Sequence, residues 1–477
     1  MYGLIVIGDD LSSYVAAASA SSKGIKTALI ADNGIAGSCI IGDLAFNTDI
    51  TPFAGLGESQ AFSSFLKELG ILPKTSLLNP AYQIILPENR LDFFNNKEEL
   101  VKELAREFSN LATGIKSFYD AIAKNSAIAE KWLSDHPYIQ PQSVHDYFDY
   151  LKLFPYLIKS IFDNVKLKRL VARNSSLQKV MEAQRVLLAY KKNNQNSVFS
   201  DFIYCAPLRG VYNFSDGKQA FIDSLIKQLD MADGLYLKNH EILSIKKGKI
   251  IELTYMDKNG VASKIEADNL IVSTKWQNMR LIIDRKKKFS FSDYIRPTRI
   301  SYYPFTIHLG INPKCIPEKM ARHVAVISDV SKDIYDNNLI ILEYGESQSD
   351  NSATSSKVPL SATVFLPDNQ DIWSRDNLDQ TANSIVERLE YFLPFLKENI
   401  EFFDINESIN ISQKQRNVVN AKYQIRNSFL SGFAAKNNKT RFGNIYLTGG
   451  ALLADAGFEG EIISGINAAD QLNAKRK

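Results

Sequence analysis

The residues of this chain best placed to do chemistry stand near its start. Gly8, Asp10 and Ser13 keep the spacing of a G-x-G-x-x-G turn. In such a turn the first glycine makes the bend, the second lets the backbone approach a pyrophosphate, and the third lets a helix pack closely on its strand. Gly8 preserves the bend, and Ser13 is small enough to preserve most of the packing. Asp10 changes the chemistry. The start of a helix attracts an anion through its free amides and its dipole, so a carboxylate there is expected to cap those amides and to repel a phosphate. Other chemistry is thinly represented. Walker-type loops, HExxH, GxSxG and EF-hand patterns are absent. Cys39, Cys205 and Cys315 form no CxxC pair, and His136, His145, His240, His308 and His323 are scattered over different expected elements. Neither a metal site nor a disulfide framework is expected, and no histidine is singled out as a general base.

The elements that must position these residues follow from apolar patterning. Leu4 to Ile7 is a continuous apolar run, as in a parallel strand buried on both faces. Tyr14 to Ser22 is an alanine-rich helical stretch closing near Gly24, and Lys26 to Ile30 returns as a second strand, which makes a βαβ unit. Lys97 to about Asn193 reads as helical. Strands return at Leu235 to Leu237, Glu241 to Ile245, Ile250 to Tyr255 and Ile265 to Val272, suggesting an antiparallel layer. Ile300 to Leu309 and Leu360 to Leu366 suggest a further sheet, with a helix over Asn377 to Phe392. Ser349 to Ser356 reads as an exposed loop, and Arg285 to Lys288 as a solvated turn. Asn444 to Thr448 is a strand and Gly460 to Leu472 a helix, so both ends of the chain are expected to share one sheet. The 477 residues suit two or three packed units. A formal charge of +3 gives no reason to expect nucleic acid as a partner. The chain shows no basic n-region and no apolar run long enough to span a bilayer, so a cytoplasmic location is expected and a peripheral membrane contact stays open.

The N-terminal βαβ and the closing segment NIYLTGGALLADAGFEGEIISGINAAD together resemble the FAD-dependent amine oxidase, protoporphyrinogen oxidase and phytoene desaturase superfamily. FSSFLKELGI from Phe62, PLRGVYNFSDGKQAFIDSL from Pro207, GLYLKNHEILSI from Gly234 and DNLIVST from Asp268 are similar to family features in the same order, and Ala362 to Phe403 is most similar to phytoene desaturases. The resemblance implies an α/β fold, α+β overall. It comprises a discontinuous Rossmann-like FAD/NAD(P)-binding unit (1–90, 205–285 and 425–477), a helical cap (91–204) and a substrate domain on an antiparallel sheet (286–424).

The resemblance also implies a set of cofactor contacts. Gly8, Asp10, Leu11, Ser12 and Ser13 would form the phosphate turn. The ribose-binding acid falls on Ala31, with Asp32 standing in if the strand runs one residue further. Ile242 would hold adenine through its backbone. A Gly-Gly-basic phrase appears as Ala36-Gly37-Ser38, and the family's Gly-Asp pair as Gly449-Gly450. Phe458, Glu459 and Gly460 open the helix that would face the flavin, where Glu461 replaces a small residue. Polar contacts are lost and carboxylates added around a dianionic ligand, so weakened or lost FAD binding is expected, in a non-catalytic binding or scaffold protein for an apolar ligand or protein partner. The alternative is an active FAD-dependent oxidoreductase acting on an amine or hydrophobic substrate; no catalytic residue is assigned. Tyr147 to Phe162 is unusually aromatic and is followed by Lys166, Lys168, Arg169 and Arg173. Its rings either pack the cap against the substrate domain, or form a tunnel mouth or an interfacial membrane contact.

Overall fold

The computed structural model describes residues 1–32, 37–57, 60–135, 144–172, 174–190, 199–276, 295–297, 302–345, 357–416, 423–425, 438–440, 442–449, 452 and 457–473. The expected loop at Ser349 to Ser356 and the turn at Arg285 to Lys288 lie outside these residues, as do Ala36 and Gly450.

The first strand, β1 (Tyr2–Ile7), is continuously apolar because both its faces are covered. Leu4 and Val6 join a core with the alanines of helix α1 (Leu11–Ser22) and with Ala468 and Ala469 of the C-terminal helix Gly457–Asn473. Ile5 and Ile7 point the other way, into a core with Ile242, Ile245 and Leu253. On one side β1 pairs in parallel with β2 (Thr27–Ala31), Val6 opposite Leu29; on the other it pairs in parallel with the long strand Ala262–Ser273, Val6 opposite Ile271. That strand changes character along its length. Its first half alternates in burial where it meets Ile251–Met256 antiparallel, and its last four residues are all buried, where Ile445–Thr448 joins in parallel. The full order is Leu235–Lys238, β2, β1, Ala262–Ser273, Ile251–Met256 and Glu241–Lys246, with Ile445–Thr448 also paired to Ala262–Ser273. The two ends of the chain therefore share one sheet.

α1 and the C-terminal helix cross closely, and Gly465 makes that approach feasible. A Cβ there would lie 2.6 Å from the carbonyl oxygen of Ser12 and 2.9 Å from Val15 Cβ, closer than packed atoms tolerate.

The second sheet runs Ile400–Phe403, Tyr302–Ile311, Val358–Pro367, Leu339–Tyr344, His323–Ile327, Tyr82–Ile85 and Arg90–Phe93. Phe305 stands opposite Val364 in its longest antiparallel pair. Helix Arg375–Glu390 covers it through Leu378, Ala382, Ile385 and Leu389. One expected boundary needs correction here. Residues up to 90 were assigned to the cofactor-type unit, yet the hairpin of Tyr82–Ile85 and Arg90–Phe93 extends the second sheet, Gln83 pairing in parallel with Val324. Short apolar runs carry no mark of which sheet they join. Helices Lys97–Glu107, Ala112–Asp135, Val144–Val171, Ser175–Ala189 and Phe199–Arg209 follow, in the region expected to form a helical cap.

Candidate functional site

Because β1 has a parallel neighbour on each side, strand order reverses at β1, and the crevice beyond the C-terminal ends of these strands is where an open α/β sheet takes its ligand. Gly8 leaves β1, Asp32 follows β2, Thr274 to Trp276 follow Ala262–Ser273, and Gly449 follows Ile445–Thr448. The structure thus brings Gly8, Asp10, Leu11, Ser12, Ser13, Asp32 and Gly449 to one edge of the sheet.

At the turn, Gly8 has φ +147°, and a Cβ on it would collide with Ser13 Oγ and Ser273 Cβ. Asp10 is the N-cap residue of α1 in extended conformation, but its side chain makes no capping bond. This corrects the expectation of a carboxylate bonded to helix amides. Ser12 Oγ donates to Asp10 Oδ2 (2.7 Å) and Ser13 Oγ donates to Asp10 Oδ1 (2.6 Å), all three side chains being buried. A carboxylate bound by two hydroxyls is already well solvated by protein, and it stands where the fingerprint needs bare backbone.

β2 ends at Ala31, so Asp32 is the first residue past the strand. The Trp276 indole Nε1–H donates to Asp32 Oδ2 (2.9 Å). The ring is buried in the same core as Ile242, Leu237, Ile30 and Ile7. Ile242, expected to present its backbone to adenine, therefore shares its core with a tryptophan of the chain itself.

Lys275 forms an ion pair with Glu461. Burial pushes the Glu461 carboxyl up to about 7; Lys275 opposes this, and Asp10 and Asp49 add to it. Burial works against the charged form of Lys275, but Glu461, Asp10 and Asp49 overcome it and hold the ammonium above its usual value. Asp49 is reached by solvent, although burial by surrounding protein is the largest influence on its acidity; Lys218 and Lys275 outweigh that influence and hold it below the usual range. Tyr190 Oη donates to Asp49 Oδ1 (2.8 Å), and Lys218 Nζ donates to the carbonyls of Asp49 and Thr51. The cluster is close to charge balance without any ligand.

The remaining expected contacts are bound up in packing. Gly37 has φ +88°, and its carbonyl accepts from Thr48 N and Oγ1, each at 3.2 Å. Gly449 N donates to Ser464 Oγ (2.9 Å). At the start of the C-terminal helix, Phe458 packs edge-on to Phe53 at 4.0 Å between ring centres, within a group that includes Phe214 and Phe221. Glu459 is buried and pairs with Arg209 (2.6 Å), which also pairs with Glu130 and lies over the Phe202 ring. Burial, partly opposed by Arg209, pushes Glu459 up to about 6. Gly460 is buried.

His308 and His323 are buried in the second sheet, and burial holds the former down at about 3 and the latter well below its usual value. Both are neutral packing residues. In the Tyr147 to Phe162 segment, Phe148, Phe154, Tyr156 and Phe162 are exposed rather than packed into a core. Sequence reasoning missed Trp276, Lys275, Arg209, Lys218 and Tyr190. A signal existed for the first two, since they directly follow the strand Ile271-Val272-Ser273 at the end where ligands sit.

Solved structures share this architecture over its whole length. A triple mutant of putrescine oxidase aligns with a TM-score of 0.61 at 13% identity, covering 99% of each chain. An oxidoreductase from Methanosarcina mazei aligns at 0.55 and 13% identity over 98% of this chain and 99% of its own. Cyclohexylamine oxidase from Brevibacterium oxydans aligns at 0.52 and 11% identity over 100% and 99%. The chain has the amine-oxidase fold. No family model matches the sequence, and no curated protein does. The crevice beyond the strand ends holds a carboxylate at the Gly8 turn, an indole on Asp32 and the Lys275–Glu461 pair. No helix among the described residues is long and apolar enough to cross a membrane, and no metal-holding group of side chains is found among them.

Proposed function

We propose that this amine-oxidase-fold protein has lost ordinary FAD binding and works as a non-catalytic binding protein for an apolar ligand or a protein partner. The observation that carries this reading is the bond from Trp276 to Asp32, because it commits to the protein's own side chain the carboxylate that stands next to Ala31, where the ribose-binding acid was expected. Asp10 and Glu461 support it. A pyrophosphate entering the crevice would meet Asp10, and like unit charges about 4 Å apart repel by roughly 1–4 kcal/mol between water-like and surface-like dielectrics. The residues present therefore do not fit the cofactor as they stand. Fold supplies shape and not activity, so an amine-oxidase scaffold can serve binding alone.

The test is a visible absorbance spectrum of the protein as purified, followed by titration with FAD read by flavin fluorescence. A colourless protein that does not take up FAD is expected. A yellow protein carrying one FAD per chain would instead favour the active oxidoreductase reading.

A further inference from the structure

Helix Val144–Val171 of the cap carries large apolar side chains on its outer surface. Phe148, Leu151, Phe154, Ile158 and Phe162 are spaced by three, three, four and four residues, and all are exposed, Phe148, Leu151 and Phe162 by more than 60%. That spacing puts them on one stripe of the helix. Lys152, Lys159 and Lys166 recur every seven residues along one edge of the stripe, and all three are exposed. Lys152 and Lys166 are paired with Asp149 and Asp163, whose side chains are only 15% and 7% exposed. Asp163 is turned toward the cap, where Asn125 Nδ2 donates to it at 3.0 Å, and Leu170 lies over Gly114. The helix thus has an inner side fixed to helix Ala112–Asp135 and an outer side made of apolar rings edged with cations.

We infer that this face docks on the surface of a lipid bilayer containing anionic headgroups. A monomeric soluble protein rarely exposes a contiguous apolar patch of this kind. The lysine row selects the occupant: a helix lying in the interface plane buries its rings at the acyl boundary and leaves its lysines among the headgroups. A second copy of the chain paired antiparallel about a two-fold axis would bring lysine row against lysine row, since such an interface uses the same patch on both subunits. The helix rests on the membrane rather than crossing it, in keeping with its charged inner side. The inference is independent of whether the crevice holds a cofactor.

The test uses the full-length protein and unilamellar vesicles, one set of phosphatidylcholine alone and one mixed with phosphatidylglycerol. Co-sedimentation is expected with the mixed vesicles, weaker with phosphatidylcholine alone, and weakened by salt. Each cation near an anionic surface contributes about a factor of five, so the combined variant Lys152→Gln, Lys159→Gln and Lys166→Gln should lower the partition coefficient roughly a hundredfold. Phe148→Ser with Phe162→Ser should lower it by roughly tenfold or more. These side chains are exposed, so circular dichroism and the melting temperature of both variants should match wild type. Absence of vesicle binding, or binding that both variants leave unchanged, would overturn the inference. So would sedimentation of the wild type as a dimer that Phe148→Ser and Phe162→Ser dissociate, which would assign the face to a second copy.

Discussion

At the scale of single residues, the proposed loss of FAD binding gives Asp10 and Trp276 separate parts that can be tested apart. Replacing Asp10 with glycine removes one repulsive charge, which corresponds to roughly a tenfold to thousandfold gain in FAD affinity. If Trp276 blocks the adenosine end, Asp10→Gly alone should show only part of that gain in a fluorescence titration. Trp276→Ala should then add to it, and Trp276→Phe, which frees Asp32 from the indole N–H but leaves a smaller ring in place, should add less. Loss of a buried indole leaves a cavity and costs about 3–5 kcal/mol, so Trp276→Ala should also lower the urea midpoint. Glu461 gives the site a pH signature. Its folded-state pKa is raised to about 7, chiefly by burial, above the ordinary value of roughly 4.3 for an exposed glutamate. The folded state therefore holds a proton that the unfolded chain releases, and this favours folding at low pH. The contribution is full below the unfolded value and is lost as pH rises through about 7. Urea midpoints at about pH 5 and about pH 8 should differ more for wild type than for Glu461→Gln.

At the scale of elements, sequence patterning gave the β1–α1–β2 unit and the final strand and helix, because alternating burial on two faces leaves a continuous apolar run that few other arrangements explain. Patterning could not place the Tyr82–Ile85 hairpin, since a four-residue strand with three apolar side chains fits either sheet. Nor did it decide the aromatic helix. Spacing of three and four puts Phe148, Leu151, Phe154, Ile158 and Phe162 on one face, and only tertiary packing decides whether that face turns in or out. The candidate site was half visible. Gly8, Asp10 and Asp32 stand out by position along the chain, whereas Trp276 reaches Asp32 from a distant strand end, and a single tryptophan gives no periodic signal. Gly465 offers a test of the helix pair. Gly465→Val would force α1 and the C-terminal helix apart at the Ser12 carbonyl, and overpacking of this kind costs about 1–3 kcal/mol, measurable by urea denaturation.

At the scale of the whole molecule, the long strand Ala262–Ser273 has β1 on one side and Ile445–Thr448 on the other, so the first and last parts of the chain are held by its middle. This arrangement has a consequence for biosynthesis. While the ribosome is still extending the chain, β1 has one partner, β2, and its other edge waits for residues 267–272. The alanine face of α1 waits longer, until the helix Gly457–Asn473 emerges and covers it. Through most of translation the N-terminal unit therefore displays an open parallel edge and an uncovered apolar helix, both of which invite pairing with other nascent chains. A chain halted before residue 457 should accumulate in the insoluble fraction or bound to chaperones. Supplying residues 457–477 as a separate peptide during refolding should recover part of the soluble material.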